Sequence, residues 1–337
     1  MKQLTVTYMG GFDRIYDEEG IAKSLEKLDV NVVRIPDKLT NVNFSEACKM
    51  IPRSTDFVLC PKWEFQGAKS LQKELKRHNI PTVTWHPDLF YNLPLQRHES
   101  IFVPFTQRHA AYTTDIVCTP EGGIAHKRYR ELGINHHILR QGIYEDCCYM
   151  APPDNITYYH DNKLSKNYDI LFVGGSVHQY HQYRKPLIRH LKETYNDRFL
   201  HVGSPCEVNN RVVSNEHQYR MDDLNKLISN CKIIIGESVE QEYYWSNRLY
   251  ETIGRGGFCL HAYTKGIEEE FTPEKHFDVF DRNDNFKDLD NKINKYLTDK
   301  ALRVAVAQAG FKYLKERYTL YNRCKEFVNI LLKYNER

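Results

Sequence analysis

The sequence has no run of apolar residues near the ~18 that a helix needs to cross a bilayer, which excludes a helical membrane span. Neither sign of charge dominates. Its 47 basic and 44 acidic residues leave a net charge of +3, so overall electrostatics make no case for a nucleic-acid partner. No Cys-x-x-Cys pair and no cysteine and histidine cluster has zinc spacing. The nine cysteines, with Cys147 and Cys148 adjacent, are odd in number and cannot all pair, so reduced structural thiols are expected. Residues Met1 to Tyr8 pass directly into an alternating strand pattern, without the basic and apolar regions of a secretion signal. The expectation is a cytoplasmic protein, in the host cytoplasm if the source is viral. Internal repeats and low-complexity tracts are also missing.

At 337 residues the chain exceeds one ordinary core and suits two domains of roughly 150 residues each. Apolar strand candidates recur at Leu4 to Met9, Asn31 to Ile35, Asp56 to Cys60, Thr82 to Trp85, Ile116 to Thr119, Ile170 to Gly174, Phe199 to Val202, Lys232 to Gly236 and Phe258 to His261. Helical stretches such as Glu19 to Leu28, Gly67 to Arg77 and Met221 to Ser229 fall between them. This rhythm predicts parallel sheets with crossover helices, an α/β class of two Rossmann-like, doubly wound domains. It breaks between Ala151 and Lys166, where Pro152-Pro153-Asp154-Asn155 opens a polar stretch. The expected organisation is a first domain at 1–150, a linker at 151–166, a second domain at 167–318 and a closing helix at 319–337. Two such domains make a cleft, and open α/β sheets bind ligands at the carboxyl ends of their strands.

The most informative segment runs from Tyr243 through Ser246-Asn247-Arg248-Leu249-Tyr250-Glu251 to the Gly256-Gly257 pair. It predicts a helix opened by Ser246 as N-cap and stopped by the two glycines. Asn247, Arg248 and Glu251 are three or four residues apart and share one face, while Leu249 and Ile253 form a separate apolar pair. A guanidinium is a planar fork suited to phosphate oxygens. A carboxylate one turn further on suits the paired hydroxyls of a ribose, so the segment reads as a sugar-nucleotide site.

These residues resemble the donor-binding segment of the GT-B glycosyltransferases, in particular the spore-maturation CgeB-like branch of the group 1 family. The resemblance extends to Tyr168-Asp169-Ile170-Leu171-Phe172-Val173-Gly174-Gly175-Ser176, followed by Arg184 and the amphipathic stretch to Leu191, which is similar to the first strand and helix of the family's C-terminal domain. Ile138 to Tyr144 resembles the segment closing the N-terminal domain, and Ala301 to Leu332 resembles the closing helices. About half the chain is covered. The resemblance implies a nucleoside diphosphate sugar as co-substrate in the C-terminal domain and no further cofactor. Basic groups would take the part that a divalent metal plays in the other major glycosyltransferase architecture. It implies that Glu251 holds the ribose and that Gly10, Gly11, Ser176, Arg184, Ser246, Asn247 and Arg248 lie about the donor. In the wider family a further glutamate contacts the transferred sugar. Its position is Tyr243 here, with Glu242 one place before, which suits the looser CgeB-like branch.

In the N-terminal half, Met9-Gly10-Gly11-Phe12-Asp13 ends the first strand. The glycines either admit a ligand close to the backbone or make an ordinary sharp turn. Thr84-Trp85-His86-Pro87-Asp88 ends another strand. A histidine and a carboxylate two residues apart can deprotonate an acceptor hydroxyl; alternatively Asp88 caps the next segment and His86 is a structural polar group. Asp13, His86 and Asp88 are the catalytic candidates. Arg184 reads either as a contact to the departing diphosphate or as a solvated arginine on an amphipathic helix. Asp288-Leu289-Asp290 has metal-binding spacing, but its helical periodicity and interleaved lysines predict a solvated helix face and no metal site. Eleven basic or histidine residues between Arg97 and Arg140 stand against four acidic ones, which marks either an anionic acceptor, DNA included, or solvated faces. The 23 tyrosines, densest in His178-Gln179-Tyr180-His181-Gln182-Tyr183, can stack on sugars or bases, although core packing claims most of them.

The leading expectation is a hexosyl- or pentosyltransferase moving a sugar from a nucleoside diphosphate donor to a hydroxyl-bearing acceptor, without a metal. A narrower version acts on hydroxymethylated bases in DNA, as bacteriophage enzymes do. A non-catalytic two-domain ligand-binding protein is the competing class, and epimerases and phosphorylases share the same architecture.

Overall fold

The structure is a computed structural model that describes residues 3–12, 18–36, 48–63, 65, 67–87, 109–150, 168–175, 181–203, 221–229 and 231–336. The chain divides into two compact units, Met1–Glu145 with Thr319–Arg337, and Asp146–Tyr318. The sequence placed this division at residue 150. Residues 146–150 pack with the second unit, where the Tyr149 amide donates to Gly254 O at 3.0 Å. The polar stretch read as a linker lies outside the described residues.

The first unit carries six parallel strands, β1 (Thr5–Gly10), β2 (Asn31–Pro36), β3 (Phe57–Leu59), β4 (Thr82–Trp85), β5 (Ile116–Thr119) and β6 (His136–Ile138). They lie in the order β2-β1-β3-β4-β5-β6. Every residue of β1 and of β4 is buried. Successive strand residues point to opposite faces, so both faces of the sheet are covered there. Helices α1 (Glu18–Glu26), α2 (Ala68–Arg77) and α3 (Gly123–Glu131) alternate with the strands. In α2, Leu71 and Leu75 enter a core with Met9, Ile35 and Val58, while Lys73 and Lys76 face solvent.

The second unit winds in the same way. Its parallel strands β7 (Ile170–Val173), β8 (Phe199–Val202), β9 (Ile233–Gly236), β10 (Cys259–Ala262) and β11 (Asp278–Phe280) lie in the order β11-β10-β9-β7-β8. Between them come α4 (Arg184–Tyr195), α5 (Met221–Ser229) and α6 (Arg248–Ile253), followed by α7 (Lys287–Thr298) and α8 (Lys300–Arg317). Alternation divides the core into two. Ile170, Phe172, Ile233 and Ile235 join Leu187 and Leu191 of α4 and Ile293 of α7 on one face. Leu171 and Ile234 join Leu227 and Ile228 of α5 on the other. In each sheet the chain steps to one neighbour, then crosses back to the other side. The strands on either side of that reversal are β1 and β3 in the first unit and β7 and β9 in the second. A crevice for a ligand forms at the carboxyl ends of such a pair.

The chain then returns to the first unit as α9 (Leu320–Asn335). Phe327 packs on Trp85 at 4.9 Å between ring centroids, and the Leu320 amide donates to Ile143 O at 2.8 Å.

Strands β6 and β11 escape the sequence reading because each has three residues and carries polar ones, His136 and His137 or Asp278. Asp288 and Asp290, expected on a solvated face of α7, are engaged instead. Asp288 accepts from the Asp281 amide at 3.0 Å, and Asp290 accepts from the Tyr195 hydroxyl at 2.9 Å. The eight cysteines among the described residues are reduced thiols, and burial pushes Cys147 and Cys259 up to about 12, which keeps them protonated and unreactive. Among the described residues no helix is long and apolar enough to cross a membrane, and no group of three or more histidines, cysteines and carboxylates could hold a metal ion.

Candidate functional site

Strand β7 ends at Val173 and the chain turns through Gly174, whose φ of 143° is open only to glycine. The end of β8 lies directly against this turn. A β-carbon on Gly203 would stand 2.1 Å from Gly174 O, and His201 Nε2 lies 2.8 Å from the same oxygen. On the other side of β7, its neighbour β9 ends at Gly236 and leads into Glu237 and Ser238.

Arg248, the first residue of α6, joins these two strand ends. Its Nε donates to Val173 O at 2.6 Å and its Nη1 to Glu237 O at 2.6 Å, with the guanidinium 4.9 Å from the Phe172 ring centroid. Nη2 hydrogen-bonds to no described residue and lies beside Gly174. Burial first, and then repulsion from Arg184, pulls the group down to about 10, so it stays cationic at neutral pH.

Arg184, the first residue of α4, is not the solvated arginine of an amphipathic helix. It is 7% exposed, and its Nε donates to Glu237 Oε2 at 2.9 Å and its Nη1 to Gly175 O at 3.0 Å. Glu237 is buried. Burial alone would raise its carboxyl, but the hydrogen bond with His181 and the charges of Arg184 and Arg248 outweigh this and hold it well below the usual carboxylate range. Arg282 Nη1 lies 4.0 Å from Glu237 Oε1. Three guanidinium groups therefore gather about one carboxylate, an excess of positive charge in a largely desolvated place. Fixed positive charge of this kind favours an anion placed beside it.

A short relay fixes the loop between β9 and α6. The Ser246 amide donates to Ser238 Oγ at 2.7 Å, and Ser238 Oγ lies 3.1 Å from His261 Nε2. Burial pulls His261 down to about 3, which makes it neutral and leaves Nε2 as an acceptor while Nδ1 donates to Ala262 O at 2.7 Å. Ser246 is consequently not the N-cap. Asn247 occupies that place without a side-chain cap bond, and the Ser246 hydroxyl donates to Glu237 O at 3.3 Å. The expected stop does occur. Gly256, at φ 71°, and Gly257 donate back to Ile253 O and Thr252 O, the double bond of a Schellman ending.

Glu251 stands one turn into α6. Asn247 Nδ2 donates to its Oε1 at 3.3 Å, and Nη1 of the buried Arg255 lies 2.8 Å from its Oε2. Arg255 Nη1 makes no well-aligned hydrogen bond, so this pair is a charge contact rather than a directed bond. Asn247 Oδ1 is buried and accepts no hydrogen bond from the described residues.

In the first unit, Gly10 and Gly11 follow β1, but the Gly11 amide already donates to Glu18 Oε2 at 2.9 Å. His86 is buried at the end of β4, its amide donating to Cys118 O at 2.9 Å. Asp13, Asp88 and Ser176 lie outside the described residues. The sequence-predicted residues thus assemble in two groups. Arg184, Ser246, Asn247, Arg248 and Glu251 lie at the carboxyl edge of the second sheet, and Gly10, Gly11 and His86 lie at that of the first.

A family model described as glycosyl transferase-like matches residues 183–329, the span that contains Arg184, Glu237, Arg248 and Glu251. No curated protein sequence matches the chain. Among solved structures, HepE of Anabaena in complex with UDP and glucose superposes with a TM-score of 0.70 at 12% identity, over 98% of this chain and 100% of that one. The fold is GT-B. Sucrose-phosphate synthase of Thermosynechococcus elongatus gives 0.68 at 13% identity over 99% and 100% of the two chains. An alpha-glucosyltransferase in complex with UDP and a 13-mer DNA containing a HMU base gives 0.63 at 12% over 98% and 100%. At such identities the likeness is one of GT-B architecture.

Sequence reasoning missed Glu237, Ser238, His201 and His261 in this GT-B chain. Glu237 had a readable signal, a carboxylate directly after the apolar run Ile233-Ile234-Ile235-Gly236. The two histidines had none, since each sits inside a strand otherwise read as apolar.

Proposed function

We propose that this protein is a GT-B glycosyltransferase of the CgeB-like type that transfers a hexose from a nucleoside diphosphate donor to a hydroxyl-bearing acceptor. The observation that carries this reading is the guanidinium of Arg248, held at two points across the ends of β7 and β9 with Nη2 turned to the glycine turn. In transfer the bond between the sugar's anomeric carbon and the β-phosphate oxygen breaks. Negative charge then grows on the diphosphate, where fixed cations lower the barrier without a metal or other cofactor. Arg248 is the direct contact, and Arg184 and Arg282 add to the local potential.

Glu251 accepts the ribose hydroxyls in this scheme, and the buried Oδ1 of Asn247 is a second acceptor beside it. His86, Asp13 and Asp88 remain the candidates for taking the acceptor's proton. UDP is the first nucleotide to try, since HepE and the alpha-glucosyltransferase were solved with it.

Titration of the full chain with UDP and other nucleoside diphosphates tests the reading. At least one should bind and raise the melting temperature. Arg248→Ala and Glu251→Ala should each weaken binding about tenfold or more, in line with the loss of a hydrogen bond to a charged group. Turnover should persist in EDTA. Unchanged affinity in both variants would remove the proposal's basis.

DNA as acceptor is a second reading, favoured by the GT-B neighbour solved with UDP and modified DNA. Within the basic segment, however, Lys127 and Arg128 both lie within ion-pair reach of Glu131, at 3.9 and 3.1 Å. Duplex binding that weakens steeply with salt supports this reading; no binding at low salt dismisses it.

A further inference from the structure

Arg255 directly follows Gly254, the C-cap of α6, and the nucleotide reading makes no use of it. It is 1% exposed and is one of the largest side chains that the fold buries completely. Its Nη1 lies 2.8 Å from Oε2 of Glu251, one helical turn back, yet neither Nε nor Nη1 has a hydrogen-bond partner among the described residues. The segment that opens the second unit packs on the same turn. The Tyr149 amide donates to Gly254 O at 3.0 Å, and a β-carbon on Gly256 would stand 3.1 Å from Met150 Cα. Cys147 of that segment is buried, and its thiol feels the charges of both Arg255 and Glu251.

A side chain so enclosed does not itself reach a ligand. The carboxylate it faces can, because the Glu251 side chain keeps 16% of its surface open. A buried guanidinium with two unsatisfied donors is an unfavourable way to finish a helix, and an apolar residue of similar volume commonly serves stability as well or better. What the arginine adds is a fixed positive charge at Glu251 Oε2. The Asn247 Nδ2 bond to Oε1 is long, at 3.3 Å, and holds the other oxygen weakly. Two neighbouring hydroxyls can both donate to one carboxylate only if its two oxygens are turned toward them, so the orientation of this group decides how well it receives a ribose.

We propose that Arg255 is a positioning residue: its charge contact fixes the Glu251 carboxylate in the orientation that accepts both ribose hydroxyls, and so sets how strongly the site prefers a ribonucleotide. The inference rests on the assignment of the ribose to Glu251. Calorimetric titration of the full chain with UDP and with 2′,3′-dideoxy-UDP, which lacks both hydroxyls, tests it. The wild-type chain should prefer UDP about tenfold or more, as for the loss of a hydrogen bond to a charged group. Arg255→Met should shrink that preference below about threefold by weakening UDP while the dideoxy affinity stays as it was, and Arg255→Lys, which keeps the charge without the planar fork, should fall between. A residue with a merely structural role would lower the melting temperature and leave the ratio of the two affinities untouched. The inference is overturned if Arg255→Met keeps the wild-type ratio, or weakens both nucleotides by one factor. Where the methionine variant does not fold, a wild-type ratio in Arg255→Lys overturns it equally. Glu251→Gln separates the two readings. If it abolishes the preference and Arg255→Met does not, this inference alone fails; if wild type shows no preference, or Glu251→Gln keeps it, the ribose assignment fails and the inference falls with it.

Discussion

Arg248 Nη2 fills the space that a β-carbon on Gly174 would need, 2.4 Å from its ideal position. The absence of a side chain at the end of β7 and the placement of the cation at the start of α6 are thus one device. Gly174→Ala should displace the guanidinium and weaken UDP binding about tenfold or more, while the positive φ adds roughly 1–3 kcal/mol of strain. Calorimetric titration beside thermal unfolding separates the two effects, and unaltered affinity would mean that Nη2 does not meet the ligand.

Glu237 is the buried carboxylate on which Arg184 and Arg282 converge, and replacing it by glutamine removes the negative charge these guanidinium groups face. Glu237→Gln should cost about 3–5 kcal/mol at neutral pH. The sign of its pH dependence follows from its depressed folded value. Above the ordinary carboxylate range the stabilisation is complete. As pH falls, the unfolded chain takes up a proton before the folded one does, so stability is lost from about pH 5 downward. Denaturant unfolding against pH should show this acid limb in the wild type and a flatter one in the variant.

His261 adds a second acid limb at higher pH. The folded imidazole, pulled down to about 3, stays neutral while an unfolded one titrates near 6.5. Between those values only the unfolded chain binds the proton, so stability falls as pH drops through 6.5 and is unaffected above it. His261→Gln should flatten that window by up to one proton in the slope. An unchanged slope would mean that the imidazole is charged in the folded protein.

Ser238 and Ser246 should separate sharply on truncation. Ser238→Ala leaves the Ser246 amide and His261 Nε2 unpaired and should cost about 1–3 kcal/mol. Ser246→Ala removes one long hydroxyl bond to Glu237 O and should cost about 0.5 kcal/mol. Equal losses in urea unfolding would restore Ser246 to the capping role that its sequence position suggests.

Much of this architecture was legible in the residues. Apolar runs buried on both faces announce parallel strands, so Thr82–Trp85, Ile116–Thr119 and Phe199–Val202 were readable to the residue. The pairing of Asn247 with Glu251 across one helical turn followed from spacing alone, as did the burial of Leu249 and Ile253. What could not be read were bonds between distant segments. Nothing near Arg248 in the sequence says that its partners are carbonyls of Val173 and Glu237, or that Arg184 and Arg282 converge on the same carboxylate. The cap at Ser246 was misread for a related reason, because its amide serves the loop from β9 rather than the helix. Local rules describe a helix, whereas a site in a doubly wound sheet is made where separate strand ends meet.

The return of α9 to the first unit bears on how the protein is made. Phe327 and Tyr334 pack on Trp85 and Phe57, so the first unit's sheet is finished by a helix translated only after the whole of the second unit. On the ribosome the middle of the chain is synthesised while that apolar surface is still bare. Nascent chains halted before Thr319 should therefore engage chaperones through their first half, even when their second half has already reached its native state.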